Sequence, residues 1–176
     1  MFDHIKKDLA NYKGDWAAQG FWAMLVYRFG NWRYTIKIPL IRKLFSVCYK
    51  VLYKLIQIIT GIELPCEVVV GDHFVIDHFG GIVISGYAKF GDNCRIRNGV
   101  VVGLKNIELL KAPQFGSNVD IGAGAKILGD IVIGNNVNIG ANAVVICDVP
   151  DNSIAVGVPA TVKPKVSLEI GSEIAL

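Results

Sequence analysis

Residues 115–145 read FGSNVDIGAGAKILGDIVIGNNVNIGANAVV, and their spacing decides the fold. A large apolar residue returns every six positions, at Phe115, Ile121, Ile127, Ile133, Ile139 and Val145. Four positions after each comes a smaller or branched one, at Val119, Ala125, Ile131, Val137 and Ala143. Glycine follows directly at Gly116, Gly122, Gly134 and Gly140. A 3.6 period would mark a helix and strict alternation a plain strand, and a period of six is neither. Fixed short repeats indicate a solenoid, whose units bury their apolar faces only by stacking on one another. Each hexad supplies one short strand and one corner, and Gly and Asn suit the corners.

Toward the N-terminus the pattern continues in a shifted phase through Ile84, Phe90, Ile96 and Val102, with Ala88, Cys94 and Val100 as partners. Val70 and Ile76 belong to it too, displaced by two residues. Ile76 and Ile84 are eight residues apart, so VIDHFGGIVI (75–84) carries two extra residues around Asp77–Gly81. Departures from a local rule are where functional sites are expected. This departure contains His78, and imidazole has the pKa of a general base at neutral pH. His73 and His4 read as ordinary surface residues.

Composition narrows the remaining choices. With 52% apolar and 19% charged residues in 176, the chain folds rather than staying disordered. A net charge of +3 suits an anionic small molecule or a membrane surface and is too weak to indicate nucleic acid. Cys48, Cys66, Cys94 and Cys147 form no C-x-x-C pair, and they read as reduced core residues of a cytosolic protein with no metal role. The polar start MFDHIKKDLANYKGDW is not a signal peptide. No uncharged apolar run reaches the ~18–20 residues that cross a bilayer.

The first 62 residues follow a helical rhythm. In LIRKLFSVCYKVLYKLIQIIT (40–60), Lys43, Ser46, Lys50, Lys54 and Gln57 form a thin polar stripe on an otherwise apolar helix. Pro39 suits its first turn. Upstream, FWAMLVYRFGNW predicts a second apolar helix, broken near Gly30. These helices either cap the open end of the solenoid or pack in a trimer, or residues 40–60 lie at a lipid interface. In the lipid case Lys and Arg meet the headgroups, with Trp22, Trp32, Tyr49 and Tyr53 nearby.

The hexads resemble those of the hexapeptide-repeat acyltransferases, over about residues 63–165. That resemblance implies a mainly β protein: a left-handed parallel β-helix with three hexads per coil, a short N-terminal α-helical region, and a homotrimer. The expected domains are 1–62 helical, 63–165 β-helix and 166–176 tail. Asp77-His78-Phe79-Gly80-Gly81-Ile82-Val83-Ile84 resembles the D-H-x-T-G-I-V-I stretch of serine acetyltransferases, whose histidine deprotonates a substrate hydroxyl for attack on acetyl-CoA. The resemblance thus implies acetyl-CoA as co-substrate, no metal, and His78 as base. It places an orienting carboxylate fifteen residues earlier, at Glu63. Asp77 and Phe79 are expected to contact the acceptor, and Gly80-Gly81 to supply oxyanion donors.

The family's cofactor groove lies between subunits, and its small residues match Gly103, Ala123 and Ala141. AVGVPATVKPK resembles the closing A-x-G-x-P-A signature, with Thr161 where the serine enzymes carry a basic residue. Lys163 or Lys165 is expected to take over that phosphate contact. The serine enzymes also have a longer helical N-terminus and a Gly-rich loop ending in His-Pro, whereas this chain has GLKNIELLKAPQ with Ala112 at the histidine's place. The G-I-E-L-P and His-Phe-Gly-Gly-Ile-Val-Ile stretches look closer to acetyltransferases of polysaccharide and O-antigen assembly. The implied acceptor is a sugar or lipid-linked glycan, for which Phe79, Ile107, Leu109 and Leu110 are suited. Arg95, Arg97, Lys105 and Lys111 offer cations for a diphosphate or acidic sugar. The expected location is cytoplasmic, at the inner face of the membrane. Serine O-acetylation, N-acetylation of an amino sugar and a catalytically silent trimeric scaffold are the alternatives.

Overall fold

The computed structural model describes residues 2–106 and 108–165. Ile107 and the expected tail 166–176 lie outside the described residues. Three helices come first: α1 (Phe2–Asn11), α2 (Gln19–Trp32) and α3 (Pro39–Thr60). Pro39 opens α3, and Gly61 closes it in the left-handed conformation, its N–H bonded to the carbonyl of Gln57 at 2.9 Å.

Five turns of β-helix follow. The first turn is β1 (Ile62–Glu63), β2 (Val69–Val70) and β3 (Val75–Asp77). The second is β4 (Ile82–Ile84), β5 (Lys89–Phe90) and β6 (Arg95–Arg97). The third is β7 (Val101–Gly103), β8 (Gln114–Phe115) and β9 (Asp120–Ile121). The fourth is β10 (Lys126–Leu128), β11 (Val132–Ile133) and β12 (Asn138–Ile139). The fifth is β13 (Val144–Val145), a bridge at Val149 and β14 (Ser153–Val156), and β15 (Thr161–Pro164) folds back antiparallel on β14.

Stacking creates three parallel sheets. The first is β1-β4-β7-β10-β13, the second β2-β5-β8-β11, and the third β3-β6-β9-β12-β14 with β15 at its edge. Successive strands of the first sheet pair Ile62 with Ile82, Ile84 with Val102, Val102 with Ile127 and Ile127 with Val145. Those residues point inward and are buried, as are Phe90 and Phe115, whose rings stack 4.4 Å apart between the second and third turns. The solenoid is the one that the hexads predict, and it is the left-handed parallel β-helix that the family resemblance implies. The alternate row on the first sheet, Glu63, Val83, Val101, Lys126 and Val144, faces outward.

The first turn would leave three strand edges open, and edges must be paired or covered. Tyrosines satisfy part of this backbone, in β3 and in the connection before β2. The Tyr12 hydroxyl accepts the N–H of Ile76, Tyr27 donates to the carbonyl of Val68, and Tyr49 accepts the N–H of Cys66. Helix α2 buries Phe21, Ala23, Met24, Val26 and Tyr27 as a cap. It runs unbroken through Gly30, against the sequence expectation. A Cβ there would come within 2.5 Å of the Tyr49 ring and 2.6 Å of Cys66, so glycine serves close packing rather than a break. Helix α1 has no counterpart in the sequence reading.

Helix α3 behaves differently, burying only Tyr49 and Thr60. Tyr49 stacks on Tyr53 and is buried, while half-buried Trp32 packs between Phe29 and Phe45. Two of the four cysteines, Cys48 and Cys147, are exposed rather than in the core.

Candidate active site

The corner leading from the third sheet into the first is built from small residues. Asp77 pairs with Arg97 across β3 and β6, and a Cβ on Gly81 would lie 3.5 Å from the Cα of Gly99. Three residues, 78–80, therefore stand where the next turn has Asn98 alone. This is the two-residue insertion that the broken phase predicts. His78 holds a left-handed φ of 61°, uncommon outside glycine, and both His78 and Phe79 are exposed.

A backbone ladder runs down the corner from this point. Gly99 N–H bonds Gly80 O at 2.8 Å, Gly124 N–H bonds Asn98 O at 2.8 Å, and Asn142 N–H bonds Ala123 O at 2.8 Å. Above it, Ile82 N–H bonds Gly61 O at 3.0 Å. The left-handed position of each corner is held by Gly81, Gly99, Gly124 or Asn142. Ala123 and Ala141 sit in successive corners, as their spacing predicts, about 10 and 14 Å along the axis from His78 at ~4.8 Å per turn. No hydrogen-bond acceptor is found among the described residues for the N–H groups of Gly80 and Gly81, which leaves two donors beside His78.

Lys126 escaped the sequence reading. Its ammonium bonds the carbonyls of Gly99 at 2.5 Å and Gly124 at 2.9 Å, tying two corners together. On an outward row a lysine reads as solvated, and only the folded corner reveals its two acceptors.

Other expected site residues are dispersed. Glu63 lies in β1, next to the strand that follows His78, but among the described residues no hydrogen bond or ion pair joins the two. Its carboxylate instead acts on Tyr53, whose phenol is pushed up to about 12, first by burial and then by Glu63. Asp77 accepts a hydrogen bond from Arg95 at 2.6 Å. Arg97 is paired with Asp120 and Lys111 with Asp130, so three of the four expected surface cations are already neutralised.

Gly103 sits at the end of β7, while His78, Ala123 and Ala141 precede the first-sheet strands. Strands in this sheet are parallel, so Gly103 and the loop after it occupy the opposite edge. A cleft of about 560 Å³ opens there, lined by Lys105, Leu109, Lys111, Leu128 and Ile146. One chain therefore does not bring Phe79 together with Leu109 and Leu110, nor Gly103 with Ala123. Lys163 is exposed on β15 opposite Ile154. Lys165 bonds Asn136, which lies just before β12 on the third sheet. Ala112 is buried in the core, so its place is one of packing rather than a gap in an acceptor site.

Comparisons with known proteins fit this geometry. The family described as "Bacterial transferase hexapeptide (six repeats)" matches residues 113–147. A serine acetyltransferase of Synechococcus elongatus is 40% identical over 81% of this chain and 56% of its own length. The putative colanic acid biosynthesis acetyltransferase WcaB of Escherichia coli K12 is 35% identical over 84% of this chain and 93% of its own. The crystal structure of serine acetyltransferase from Brucella abortus superposes with a TM-score of 0.78 at 28% identity, covering 93% of this chain and 68% of that one. A serine acetyltransferase solved in complex with CoA gives 0.75 at 28% identity, covering 92% of this chain and 68% of that one. The chain spans just over half the length of the cyanobacterial serine enzymes it matches. Repeats, corner and relatives together mean that this chain belongs to the hexapeptide-repeat transferases.

Proposed function

We propose that the protein transfers an acetyl group from acetyl-CoA to a sugar hydroxyl, on a glycan or lipid-linked glycan of cell-surface polysaccharide or O-antigen assembly. The observation that carries the reaction is the inserted corner: an exposed His78 beside the unpartnered N–H groups of Gly80 and Gly81. An alcohol is a weak nucleophile until a base removes its proton, and neutral imidazole suits that task. His78 takes the hydroxyl proton as the oxygen bonds to the thioester carbonyl carbon. The Gly80 and Gly81 N–H groups stabilise the oxyanion that forms. When the intermediate collapses, the C–S bond breaks and His78 returns the proton to the departing thiolate. The products are an acetyl ester and free CoA.

Small residues down the corner, Ala123 and Ala141, leave room for the pantetheine arm against the backbone. Gly103 and the loop after it lie on the opposite edge of the first sheet, which supports a homotrimer in which the neighbour's loop completes each groove. The outward Val83, Val101 and Val144 offer an apolar face for that contact. Lys163 is the cation proposed for a CoA phosphate. Glu63 is proposed as a positioning residue, reaching His78 once substrate and neighbour close the site.

The acceptor follows from the charges. Asp77 is spent on Arg95, so the corner offers little to a free ammonium or carboxylate, while exposed Phe79 suits the apolar face of a sugar ring. The WcaB similarity supports the same class. Serine is the second reading, supported by the cyanobacterial relatives. The donor is a cytoplasmic metabolite, which puts the reaction on the cytoplasmic side.

The test is kinetic. His78→Ala lowers kcat by on the order of 10²–10⁴ while CoA affinity is kept. Glu63→Gln lowers kcat less and displaces the acid limb of the pH–rate profile, as loss of an orienting carboxylate requires. Near-full turnover by His78→Ala overturns the mechanism.

A further inference from the structure

Helix α3 is an unpartnered apolar surface with charge of one sign. At 22 residues it is about 33 Å long, the scale of a small domain. Leu40, Leu44, Val47, Val51, Leu55 and Ile58 recur at three- and four-residue spacing, and all are exposed, Leu40 and Ile58 by 78% and 73%. Lys43, Lys50 and Lys54 run along one border of that stripe. No Asp or Glu occurs anywhere in the helix. Its other side is held by the first turn through Tyr49, which accepts the N–H of Cys66, and by α2 through Phe45, so this face cannot rotate inward. No helix among the described residues is long and apolar enough to cross a membrane.

We propose that α3 binds an anionic lipid surface, lying in its plane with the aliphatic stripe at the acyl boundary and the lysines at the headgroups. An aliphatic face bordered by cations matches that environment. The α3 helix of a second copy matches it less well. A seam between two such stripes would bring six lysines together with no carboxylate from either helix, and like charges repel. The placement also serves the corner described above. Gly61, which ends α3, lies against the Gly80–Gly81 backbone, where a Cβ would meet the Cα of Gly80 at 3.1 Å. A protein lying on α3 therefore presents His78 next to the lipid surface, where a lipid-linked glycan would offer its hydroxyl. That last clause rests on the proposed reaction, whereas lipid binding does not.

Flotation of the full chain with vesicles tests the proposal, using phosphatidylglycerol–phosphatidylcholine and pure phosphatidylcholine at low and high salt. The expected result is binding to the anionic vesicles that weakens with salt. The triple variant Lys43→Glu, Lys50→Glu, Lys54→Glu loses on the order of a hundredfold in partitioning, at roughly fivefold per lysine. Leu44→Asn with Val51→Asn, both at exposed positions, weakens binding with no change in fold by circular dichroism. Cys48, between Leu44 and Val51 on the exposed arc, serves as a local reporter. Its alkylation by iodoacetamide slows at least tenfold on anionic vesicles, while that of Cys147 does not. Absence of binding overturns the proposal, as does equal binding to neutral vesicles at all salt concentrations. Protection of Cys48 without vesicles, with cross-linking between two α3 helices, overturns it in favour of a second copy. None of these readouts depends on turnover, so a failure of the acetyl-transfer reading is seen separately.

Discussion

His78, Asp77 and Arg95 show how much chemistry one inserted pair of residues supports. The insertion turns the histidine out of the stack, and the ion pair beneath it fixes the charge of the corner. That pair is solvent-accessible on both sides, and exposed pairs contribute at most about 1 kcal/mol. Asp77→Asn is therefore expected to leave the melting temperature within about 2–4 °C of the parent. It also replaces the carboxylate with an amide, so KM for a neutral sugar rises if Asp77 accepts a hydrogen bond from a hydroxyl of the acceptor. Steady-state kinetics beside a thermal melt separates the two effects. An unchanged KM would assign Asp77 to the corner's structure alone.

At the scale of elements, the repeat was readable and the connections between distant elements were not. Ile121, Ile127, Ile133 and Ile139 announce the coil because each repeats one local instruction. The inserted corner was legible for the same reason, as a break in phase. Gly30 misled because glycine weakens an isolated helix, while its reason here is the Tyr49 ring from another helix. Lys126 was invisible because its acceptors, Gly99 and Gly124, meet only after stacking. Ala112 looked like a missing acceptor group because alignment along a loop says nothing about which way a side chain faces. Gly30→Ala provides a check on this packing. It improves local helix propensity yet should destabilise the protein by about 1–3 kcal/mol through overpacking against Tyr49 and Cys66. A thermal melt of the variant reads that sign directly, and a raised melting temperature would show that the contact is slack.

For the whole molecule, the arrangement is a rigid stack with a polar corner on one edge, a loop on the other, and a helix with an exposed apolar face at one end. Rigidity comes from buried apolar rows and aligned backbone ladders, so the corner needs no large motion to be preorganised. Within one chain the two edges of the first sheet stay apart, and α3 leaves an exposed apolar face close to the corner. These features together favour a bulky, hydroxyl-bearing, membrane-associated acceptor over a free amino acid. The most direct measurement is acceptor-dependent release of CoA from acetyl-CoA by the purified protein, run in parallel with serine and with lipid-linked glycans from polysaccharide-producing cells. The account predicts slow background hydrolysis, almost no response to serine, and clear acceleration by the glycan fraction with an acetyl ester recovered on a sugar. Serine turnover with kcat/KM near ~10⁴ M⁻¹s⁻¹, the lower end of ordinary enzyme efficiency, and no response to any glycan would contradict it.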